Sequence, residues 1–404
     1  MDQMLNDFET LWRTLQTFND AHQGTTRIAF TDTDRRSRQW LQEVWTNRGL
    51  STFVDGIGNV VGLLGGPPYL LLGSHTDSVP GGGSFDGILG VLAATSVARR
   101  WNGRDGGLML VDWSCEESSR FGISTLGSRF ALGEHKTDYL DAIDSSGIVL
   151  ADAIRGTYGY PDVPILDLRQ YRVKAALELH MEQGNQLEER NCPLALVTAI
   201  AAPQRWRVTV EGMASHSAGT AMMRRSDALA AFSELTLAIE TLSKHLEEAG
   251  LRTTATNASV WPGVPNVIAG RVTGVIDVRA QSLAVLAHYR EALAVVCRDI
   301  STRRKVHITL SEISGEAPGE LDPAILELIR QVLKNRGLPM MQIPSWASHD
   351  SLPLSRHVPV GMLFVRNPSG LSHTARESLN REDIGLALDV FYDVVELIQR
   401  HMAR

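Results

Sequence analysis

The sequence predicts an α/β fold in which a mixed, mostly parallel sheet is flanked by helices. Short apolar runs such as "YLLLGS" (69–74), "GLMLVDWS" (107–114) and "VGMLFV" (360–365) are typical of strands buried on both faces. Helical patterns alternate with these runs, and such alternation indicates a parallel sheet. Near residue 205 the apolar runs give way to alternating polar and apolar residues, which indicates a second domain inserted into the first.

The elements of the first domain can be justified in chain order. The N-terminal 20 residues carry apolar residues at helical spacing and predict an amphipathic surface helix. A second helix over 35–50 ends at Gly49, because glycine favours a helix stop. Strands at 69–74, 107–114 and 175–181 follow, with a helix over 87–101; after the insertion come a helix from about Pro323 and the strand at 360–365. This domain is predicted to comprise residues 1–204 and 318–404.

The inserted domain, predicted to span 205–317, has a different pattern of polar and apolar residues. The stretch "RWRVTVEG" (205–212) alternates, as a strand with one solvated face does. A helix over 226–250, a strand pair over 266–280 around Gly270, a helix over 282–304 and a strand over 305–313 follow. This β-α-β-β-α-β order predicts a ferredoxin-like domain.

Length, charge and cysteine content exclude several classes of protein. A chain of 404 residues exceeds what one core usually supports, so two domains are expected. The net charge of −7 and the lack of a basic tract with aromatic residues argue against nucleic-acid binding. No apolar run approaches the roughly 20 residues that span a bilayer, and the acidic N-terminus does not resemble a signal peptide. Three widely spaced cysteines predict a reducing, cytoplasmic location.

Chemically active side chains follow four of the predicted strands. They are His75, Asp77 and Asp86 after 69–74, Glu116 and Glu117 after 107–114, His180 at the end of 175–181, and His373 after 360–365. In an open parallel sheet, ligands bind beyond the carboxyl ends of the strands. Imidazole and carboxylate together suit zinc, manganese or cobalt, and the absence of cysteine favours a catalytic site over a structural zinc site.

The glycine-rich stretch "GSHTDSVPGGGSFDG" (73–87) is interpreted as a tight loop at this site. Glycine lets the chain fold back so that His75 and Asp86 bind at one point. Asp77 is predicted to accept a hydrogen bond from the free ring nitrogen of His75 and so to select its tautomer. The alternative, a flexible turn in which His75 only caps a helix, does not explain the matching residues at three further strand ends.

The adjacent pair Glu116–Glu117 requires its own explanation. Two neighbouring glutamates usually form a solvated charge pair. These two follow a buried strand, where like charges are costly without cations. In a site with two metal ions, one glutamate would be a ligand and the other a general base acting on water.

Six stretches resemble the M20 metallopeptidase amidohydrolases: "GSHTDSVPGGGSFDGILGVLAA", "EESSRFG", "LELHMEQGNQLE", "HSAGTAMMRRSDAL", "PNVIAGRVTGVIDVR" and "SGLSHTARES". The resemblance covers essentially the whole chain. The "HMEQG" form favours the branch of N-carbamoyl-L-amino-acid hydrolases, β-ureidopropionases and allantoate amidohydrolases. It implies a zinc-exopeptidase-like catalytic domain with an inserted lid, which closes over the substrate and forms a homodimer.

The resemblance also implies a role for each residue of the site. Two divalent ions (zinc, manganese or cobalt) are implied, with His75 and His180 on one ion, Glu117 and His373 on the other, and Asp86 bridging the pair. Glu116 is the implied general base. The residues implied to bind substrate are Gln183, Asn266 and Arg279, with the backbone around Gly370 to Ser372, while His216 stabilises the oxyanion.

From residue features alone, the lid residues have simpler interpretations. His216 could be a solvent-facing turn histidine, Asn266 a turn support and Arg279 a surface charge. As family residues, Arg279 would pair with a substrate carboxylate through two parallel hydrogen bonds, and some lid residues would act across the dimer. His349 and Asp350 in "ASHDS" are expected to lie beside the metal ligands.

Two departures from the family pattern leave the substrate open. Ala221 stands where the ureido branch commonly has proline, and Ser118 where it has glycine. The predicted function is hydrolysis of a carbamoyl C–N bond in a ureido acid with a carboxylate, giving the amino acid, CO2 and ammonia. The alternatives are an aminoacylase or dipeptidase, an aminohydrolase on an unusual small compound, and a non-catalytic binding protein on the same fold.

Overall fold

The computed structural model describes residues 2–101, 103 and 106–402. In chain order, the strands of the described residues are β1 Ser51–Val54, β2 Val60–Leu64, β3 Tyr69–His75, β4 Gly107–Trp113, β5 Val173–Met181, β6 Leu194–Ile200, β7 Ala202–Glu211, β8 Ser215–His216, β9 Leu251–Trp261, β10 Val267–Ile268, β11 Arg271–Ala280, β12 His307–Gly315, β13 Gly319–Glu320, β14 Gln342–Ser345 and β15 Val360–Val365. The α-helices are α1 Asp2–Leu15, α2 Asp32–Asn47, α3 Ile88–Arg100, α4 Leu126–Leu132, α5 Leu150–Tyr158, α6 Gln186–Glu189, α7 Ala228–Leu246, α8 Leu283–Arg304, α9 Pro323–Asn335, α10 Ser351–Leu354 and α11 Arg381–Met402.

The chain divides into two compact units. The larger unit is formed by the described residues of Met1–Thr198 and Glu320–Arg404, and the smaller unit by Ala199–Gly319. The sequence interpretation put the first boundary between residues 204 and 205, inside β7. The start of β7 belongs to the smaller unit because its first residues, Ala202 and Pro203, pair with the end of β11.

The larger unit is built on a mixed sheet with the strand order β1-β2-β4-β3-β5-β15-β6-β13, in which β14 pairs with β6. Its four central strands, β4, β3, β5 and β15, run parallel, whereas β2 and β6 pair antiparallel with this centre. Strands β3, β4 and β15 are buried along their whole length, as their continuous apolar runs predict. The predicted α/β fold class is therefore confirmed.

Helices cover this sheet and have the local signals that their sequences predict. Helices α1, α3, α9 and α11 pack against one another or on the central strands, and α2 packs on β1 and β2. Thr31 caps α2 by accepting a hydrogen bond from the Asp34 backbone N–H, and the helix ends before Gly49, whose φ is +85°. Asp322 caps α9, with Pro323 in its first turn.

The smaller unit is a four-stranded antiparallel sheet, β12-β7-β11-β9, with α7 and α8 packed on it. Its core is formed by the apolar face of the sheet and the facing sides of both helices, including Trp206, Phe232 and Tyr289. The burial of β7 alternates residue by residue, as the pattern "RWRVTVEG" predicts.

One element of the predicted insert is wrong. The stretch 266–280 does not fold as a strand pair around Gly270, because β10 pairs with β8 and only β11 belongs to the four-stranded sheet. The second strand of the sheet is β9, whose polar sequence "LRTTATNASVW" lacks the apolar signal of a strand. It forms at the sheet edge, where ladder hydrogen bonds to β11 replace apolar burial. The β-α-β-β-α-β order holds with β9 in second place.

Among the described residues, none of the helices combines the length and the apolar character that crossing a membrane requires.

Candidate metal centre

The parallel centre of the sheet brings four strand ends to one edge. His75 is the last residue of β3 and lies beside Trp113, the last residue of β4. His180, near the end of β5, lies beside Phe364 of β15. Because all four strands point the same way, the residues that follow them meet at the same edge.

The first ligand group at this edge consists of His75, Asp86 and His180. One potential ligand atom from each lies within 4.8 Å of the others, and all three side chains are buried. The Nε2 atom of His180 is 3.1 Å from Asp86 Oδ1. The Nδ1 atoms of His75 and His180 lie 3.0 and 2.9 Å from the backbone oxygens of Asp77 and Met181. A carbonyl oxygen accepts a hydrogen bond from a protonated Nδ1, so each Nε2 is the ring nitrogen whose lone pair a metal ion could bind. In this structure the Nε2 lone pair of His180 accepts a hydrogen bond from the Gly87 backbone N–H at 3.1 Å.

A second ligand group consists of Asp86, Glu117 and His373. The Nε2 atom of His373 lies 3.0 Å from Asp86 Oδ2 and 3.2 Å from Glu117 Oε1. His373 has a φ of +59°, and its side chain is 46% exposed, which makes it the most accessible member of both groups. Asp86 belongs to both groups and offers one oxygen to each.

The negative charges of this cluster favour the binding of cations. Burial lowers the pKa of His180, but the hydrogen bond to Asp86 and the negative charges of Asp86 and Glu178 together outweigh burial and raise the pKa to about 9. The adjacent carboxylates of Asp86 and Glu117 raise the pKa of His373 to about 10. The carboxylates thus attract protons to both histidines, and divalent cations would neutralise the same charges. Imidazole nitrogen and carboxylate oxygen fit zinc, manganese or cobalt.

Glu116 lies beside the first ligand group without belonging to it. Its Oε2 atom is 3.7 Å from His75 Nε2, and the side chain is buried. Burial, followed by the charge of Glu117, raises the pKa of this carboxyl well above its usual range. A carboxyl whose proton affinity is raised is suited to accept a proton from water and to donate it again.

The structure corrects the predicted contact of Asp77. The backbone oxygen of Asp77, not its carboxylate, accepts the hydrogen bond from His75 Nδ1–H, since the nearest carboxylate oxygen is 3.9 Å away. The carboxylate instead accepts hydrogen bonds from the backbone N–H groups of Glu116 at 3.2 Å and Glu117 at 3.1 Å. The Asp77 carboxylate therefore positions the backbone of the two glutamates, and the Asp77 backbone oxygen selects the tautomer of His75.

Two of the predicted substrate residues lie among the ligands. Gln183 Nε2 donates to both oxygens of Asp86, at 3.3 and 3.2 Å, and lies 3.3 Å from His373 Nε2. The Ser372 hydroxyl donates to Asp86 Oδ2 at 3.2 Å. Gly370 lies in the preceding turn with a φ of +63° and donates its N–H to the Asn367 oxygen. The larger unit therefore brings Gln183 and Ser372 to the cluster.

Glu377 is a residue of this region that the sequence interpretation missed. Its Oε1 atom accepts hydrogen bonds from the backbone N–H groups of Phe85 and Asp86, at 2.8 and 3.1 Å. Burial, followed by the charge of Asp86, raises the pKa of Glu377 to about 7. Gly83 is required opposite it, because a Cβ there would lie 2.0 Å from the Glu377 carboxyl carbon. The stretch "SGLSHTARES" contains Glu377, but nothing in its pattern points to a contact with residues 85 and 86.

His349 and Asp350 lie behind the first ligand group. The His349 ring packs edge-on against His180 with 4.5 Å between ring centroids, and its Nε2 lies 2.8 Å from the Ser345 hydroxyl. Asp350 Oδ1 accepts a hydrogen bond of 2.5 Å from the Ser128 hydroxyl. Glu178, His180 and His349 also have potential ligand atoms close together. However, the Glu178 carboxylate already accepts hydrogen bonds from the Ser74 and Ser351 hydroxyls, so it is bound within the protein.

The remaining predicted residues belong to the smaller unit. His216 and Asn266 are neighbours there, since β8 pairs with β10 and the Asn266 oxygen accepts a hydrogen bond from the Ser217 N–H at 2.9 Å. Arg279 lies near the far end of β11, eight residues beyond Arg271 and hence roughly 27 Å along the strand. Its Nε donates to Asp277 Oδ1 at 2.9 Å. The smaller unit therefore groups His216 with Asn266 and keeps Arg279 apart from them.

Gly87→Ala is expected to disrupt the first ligand group. A Cβ at Gly87 would lie 2.4 Å from His75 Nε2, the atom that faces the cluster. We expect the affinity for the first metal ion to fall roughly 10–100-fold, as when other neighbours of metal ligands are displaced. Calorimetric titration of metal-free protein with Mn²⁺ or Zn²⁺ measures this change.

Gly81→Ala is the matched control for this prediction. Gly81 lies in the same loop and also has a positive φ, but a Cβ there would meet only the Gln23 oxygen, at 3.9 Å. The control should lose roughly 1–2 kcal/mol of unfolding free energy to backbone strain and keep its metal affinity. Equal metal affinity in the two variants would contradict the assigned role of Gly87.

Comparison with known proteins places this arrangement in a family. Residues 71–397 match the family described as Peptidase family M20/M25/M40. The chain is 34% identical to an N-carbamoyl-L-amino acid amidohydrolase of Geobacillus stearothermophilus, covering 96% of this chain and 97% of that protein. It is 30% identical to an allantoate amidohydrolase of Bacillus subtilis, covering 92% of each. A crystal structure of an amidase of the hydantoinase/carbamoylase family from Burkholderia phymatum superposes with a TM-score of 0.88 at 28% identity, covering 98% of both chains.

The family match spans residues 71–397 of the 404, the first relative covers 96% of the chain, and the matched region contains every ligand of the two groups. The chain therefore belongs to peptidase family M20/M25/M40, and it is a hydrolase of the amidohydrolase branch of that family.

Proposed function

We propose that this protein is a binuclear metal-dependent amidohydrolase that cleaves the carbamoyl C–N bond of an N-carbamoyl-L-amino acid or a related ureido acid. The observation that carries the proposal is the pair of ligand groups that share Asp86, with the carboxyl of Glu116 beside them. His75 and His180 would hold one divalent ion, and Glu117 and His373 the other. The ureido substrates named for the relatives supply the substrate class.

In this proposal, Glu116 transfers the protons of the reaction. When bound, the two metal ions supply Lewis acidity and lower the pKa of water from ~16 towards neutrality. Glu116 accepts a proton from water as the water oxygen attacks the carbamoyl carbon, and then donates it to the leaving nitrogen. The net reaction consumes one water and releases the amino acid, CO2 and ammonia. Asp77 holds Glu116 in place through the backbone N–H of that residue.

His216 is proposed to stabilise the oxyanion. Its Nδ1 accepts hydrogen bonds from the backbone N–H groups of Ala218 and Gly219, both at 3.1 Å. Nδ1 therefore carries no proton, and the neutral ring has its N–H at Nε2. The exposed side chain of His216 can thus offer a donor of defined direction to a developing negative charge.

Arg279, Asn266 and Gln183 are proposed to bind the substrate. Asp277 orients Arg279 through Nε, and within the described part of the chain neither Nη atom of Arg279 has a hydrogen-bond partner. Those two donors are the ones that bind a carboxylate in parallel. Because β11 keeps Arg279 apart from His216 and Asn266, we further propose that a homodimer combines lid residues from two subunits in one active site.

The proposal is tested by following ammonia release from a panel of ureido acids with Mn²⁺-, Co²⁺- or Zn²⁺-loaded protein. The panel contains N-carbamoyl-L-amino acids, β-ureidopropionate and allantoate, with N-acetyl amino acids and dipeptides followed by free amine. We expect hydrolysis of at least one ureido compound and none of the acyl compounds or dipeptides. Cleavage of acyl compounds or dipeptides alone would contradict the ureido assignment and favour an aminoacylase or dipeptidase, as the departures at Ala221 and Ser118 allow.

A further inference from the structure

A fully buried arginine of α2, Arg38, contacts both Asp77 and the end of β4, the strand that precedes the Glu116–Glu117 pair. Its side chain has no exposed area, and all five of its N–H donors can be accounted for. Nε donates to Asp34 Oδ1 at 2.8 Å. Nη1 donates to the backbone oxygens of Asp112 at 3.1 Å and Gly58 at 3.3 Å. Nη2 donates to the backbone oxygen of Trp113 at 2.9 Å and to Asp77 Oδ1 at 3.4 Å.

These contacts hold both sides of the turn that presents the two glutamates. On one side, Arg38 binds the last two carbonyl groups of β4, those of Asp112 and Trp113. On the other, it binds the carboxylate of Asp77, which accepts the N–H groups of Glu116 and Glu117. Between these sides lies Cys115, whose backbone is left-handed with a φ of +53°. Left-handed backbone at a residue other than glycine persists only where the surroundings hold it.

The same guanidinium balances the negative charge of three buried carboxylates. The carboxylates of Asp34, Asp77 and Asp112 all lie within 3.4 Å of Arg38 nitrogen atoms, and all are buried. Within the described residues, the side chain of the neighbouring buried cation, Arg27, donates to the backbone oxygens of Thr76, Leu15 and Phe18 and to no carboxylate. Arg38 is therefore the cation in direct contact with Asp77.

We propose that Arg38 is a positioning residue, which orients Glu116 and Glu117 through the Asp77 carboxylate and the end of β4. The proposal rests on the proposed function, because that function makes Glu116 the base and Glu117 a metal ligand. The planar guanidinium is needed for its shape as well as its charge. Lysine supplies three donors from a single point and cannot reach Asp77 and both strand carbonyls together.

Arg38→Lys is the first test, with Arg27→Lys as the matched control. Both replacements keep a buried positive charge, and both remove hydrogen bonds to backbone oxygens. We expect Arg38→Lys to lower kcat about 10–100-fold with KM within about twofold, and to weaken binding of the ion held by Glu117 about tenfold. Arg27→Lys should lower the melting temperature while leaving kcat and metal affinity within about twofold. Equal losses of kcat in both variants, or none in Arg38→Lys, would overturn the proposal.

A double variant keeps the test decisive if Arg38→Lys unfolds. Arg38→Met combined with Asp112→Asn removes one cation and one buried anion together, and asparagine can still accept the Thr76 hydroxyl that Asp112 accepts at 2.8 Å. We expect this pair of changes to restore folding without restoring kcat. Recovery of kcat as well would show that Arg38 only balances charge, and it would refute a positioning role.

A spectroscopic readout separates this inference from the proposed function. The visible absorption of Co²⁺ reports ligand geometry whether or not a substrate is known. We expect the Co²⁺ spectrum of metal-loaded protein to change in Arg38→Lys and to stay unchanged in Arg27→Lys. If the unmodified protein hydrolyses no ureido compound, the proposed function fails, while an unchanged spectrum in Arg38→Lys overturns the inference about Arg38 independently.

Discussion

Glu116→Gln is expected to lower kcat about 10³-fold while both metal ions stay bound. Glutamine has the size of glutamate but cannot accept a proton from the attacking water. Glu116 lies 3.7 Å from His75 Nε2 and belongs to neither ligand group, so its loss should leave the ligands in place. Steady-state kinetics together with metal analysis by mass spectrometry measure both expectations.

Glu117→Gln is the matched control, because it makes the same chemical change one residue later. Glu117 belongs to the second ligand group and lies 3.2 Å from His373. This variant should lose one metal ion, whereas Glu116→Gln should keep both. Near-normal turnover in Glu116→Gln would refute the assigned base, and metal loss in Glu116→Gln alone would exchange the two roles.

Asp86→Asn is expected to remove both metal ions and to lower turnover about 10³-fold or more. Asp86 is the residue that the two ligand groups share, and it faces His180 at 3.1 Å with one oxygen and His373 at 3.0 Å with the other. An amide keeps the size of the side chain but loses the negative charge that draws a cation to each group. Metal content per chain after dialysis, together with kcat, measures the effect.

His373→Ala is the matched control for Asp86→Asn. His373 belongs to the second group only, and its exposed side chain can be shortened with little disturbance to the core. We expect this variant to keep one ion per chain and Asp86→Asn to keep none. One ion retained in Asp86→Asn would contradict the bridging role of Asp86.

Much of the fold follows from local patterns that can be read along the chain. The continuous apolar runs of β3, β4 and β15 predict buried parallel strands, and the structure has them. The capping and breaking residues of α2 and α9 likewise mark where those helices begin or end. The edge strand β9 escaped prediction, because its stability comes from pairing with β11 and not from an apolar pattern of its own.

By itself, the sequence determined the fold class, the family motifs and the side chains available for chemistry at the strand ends. Only the tertiary structure decided how those side chains are held. It directs the carboxylate of Asp77 to the N–H groups of two glutamates instead of to His75. It also brings Glu377 to residues 85 and 86, and Arg38 to Asp77. These contacts join segments that are 39 to 292 residues apart. Local spacing carries no signal for such pairs, because the packing of the whole sheet and its helices sets their distances.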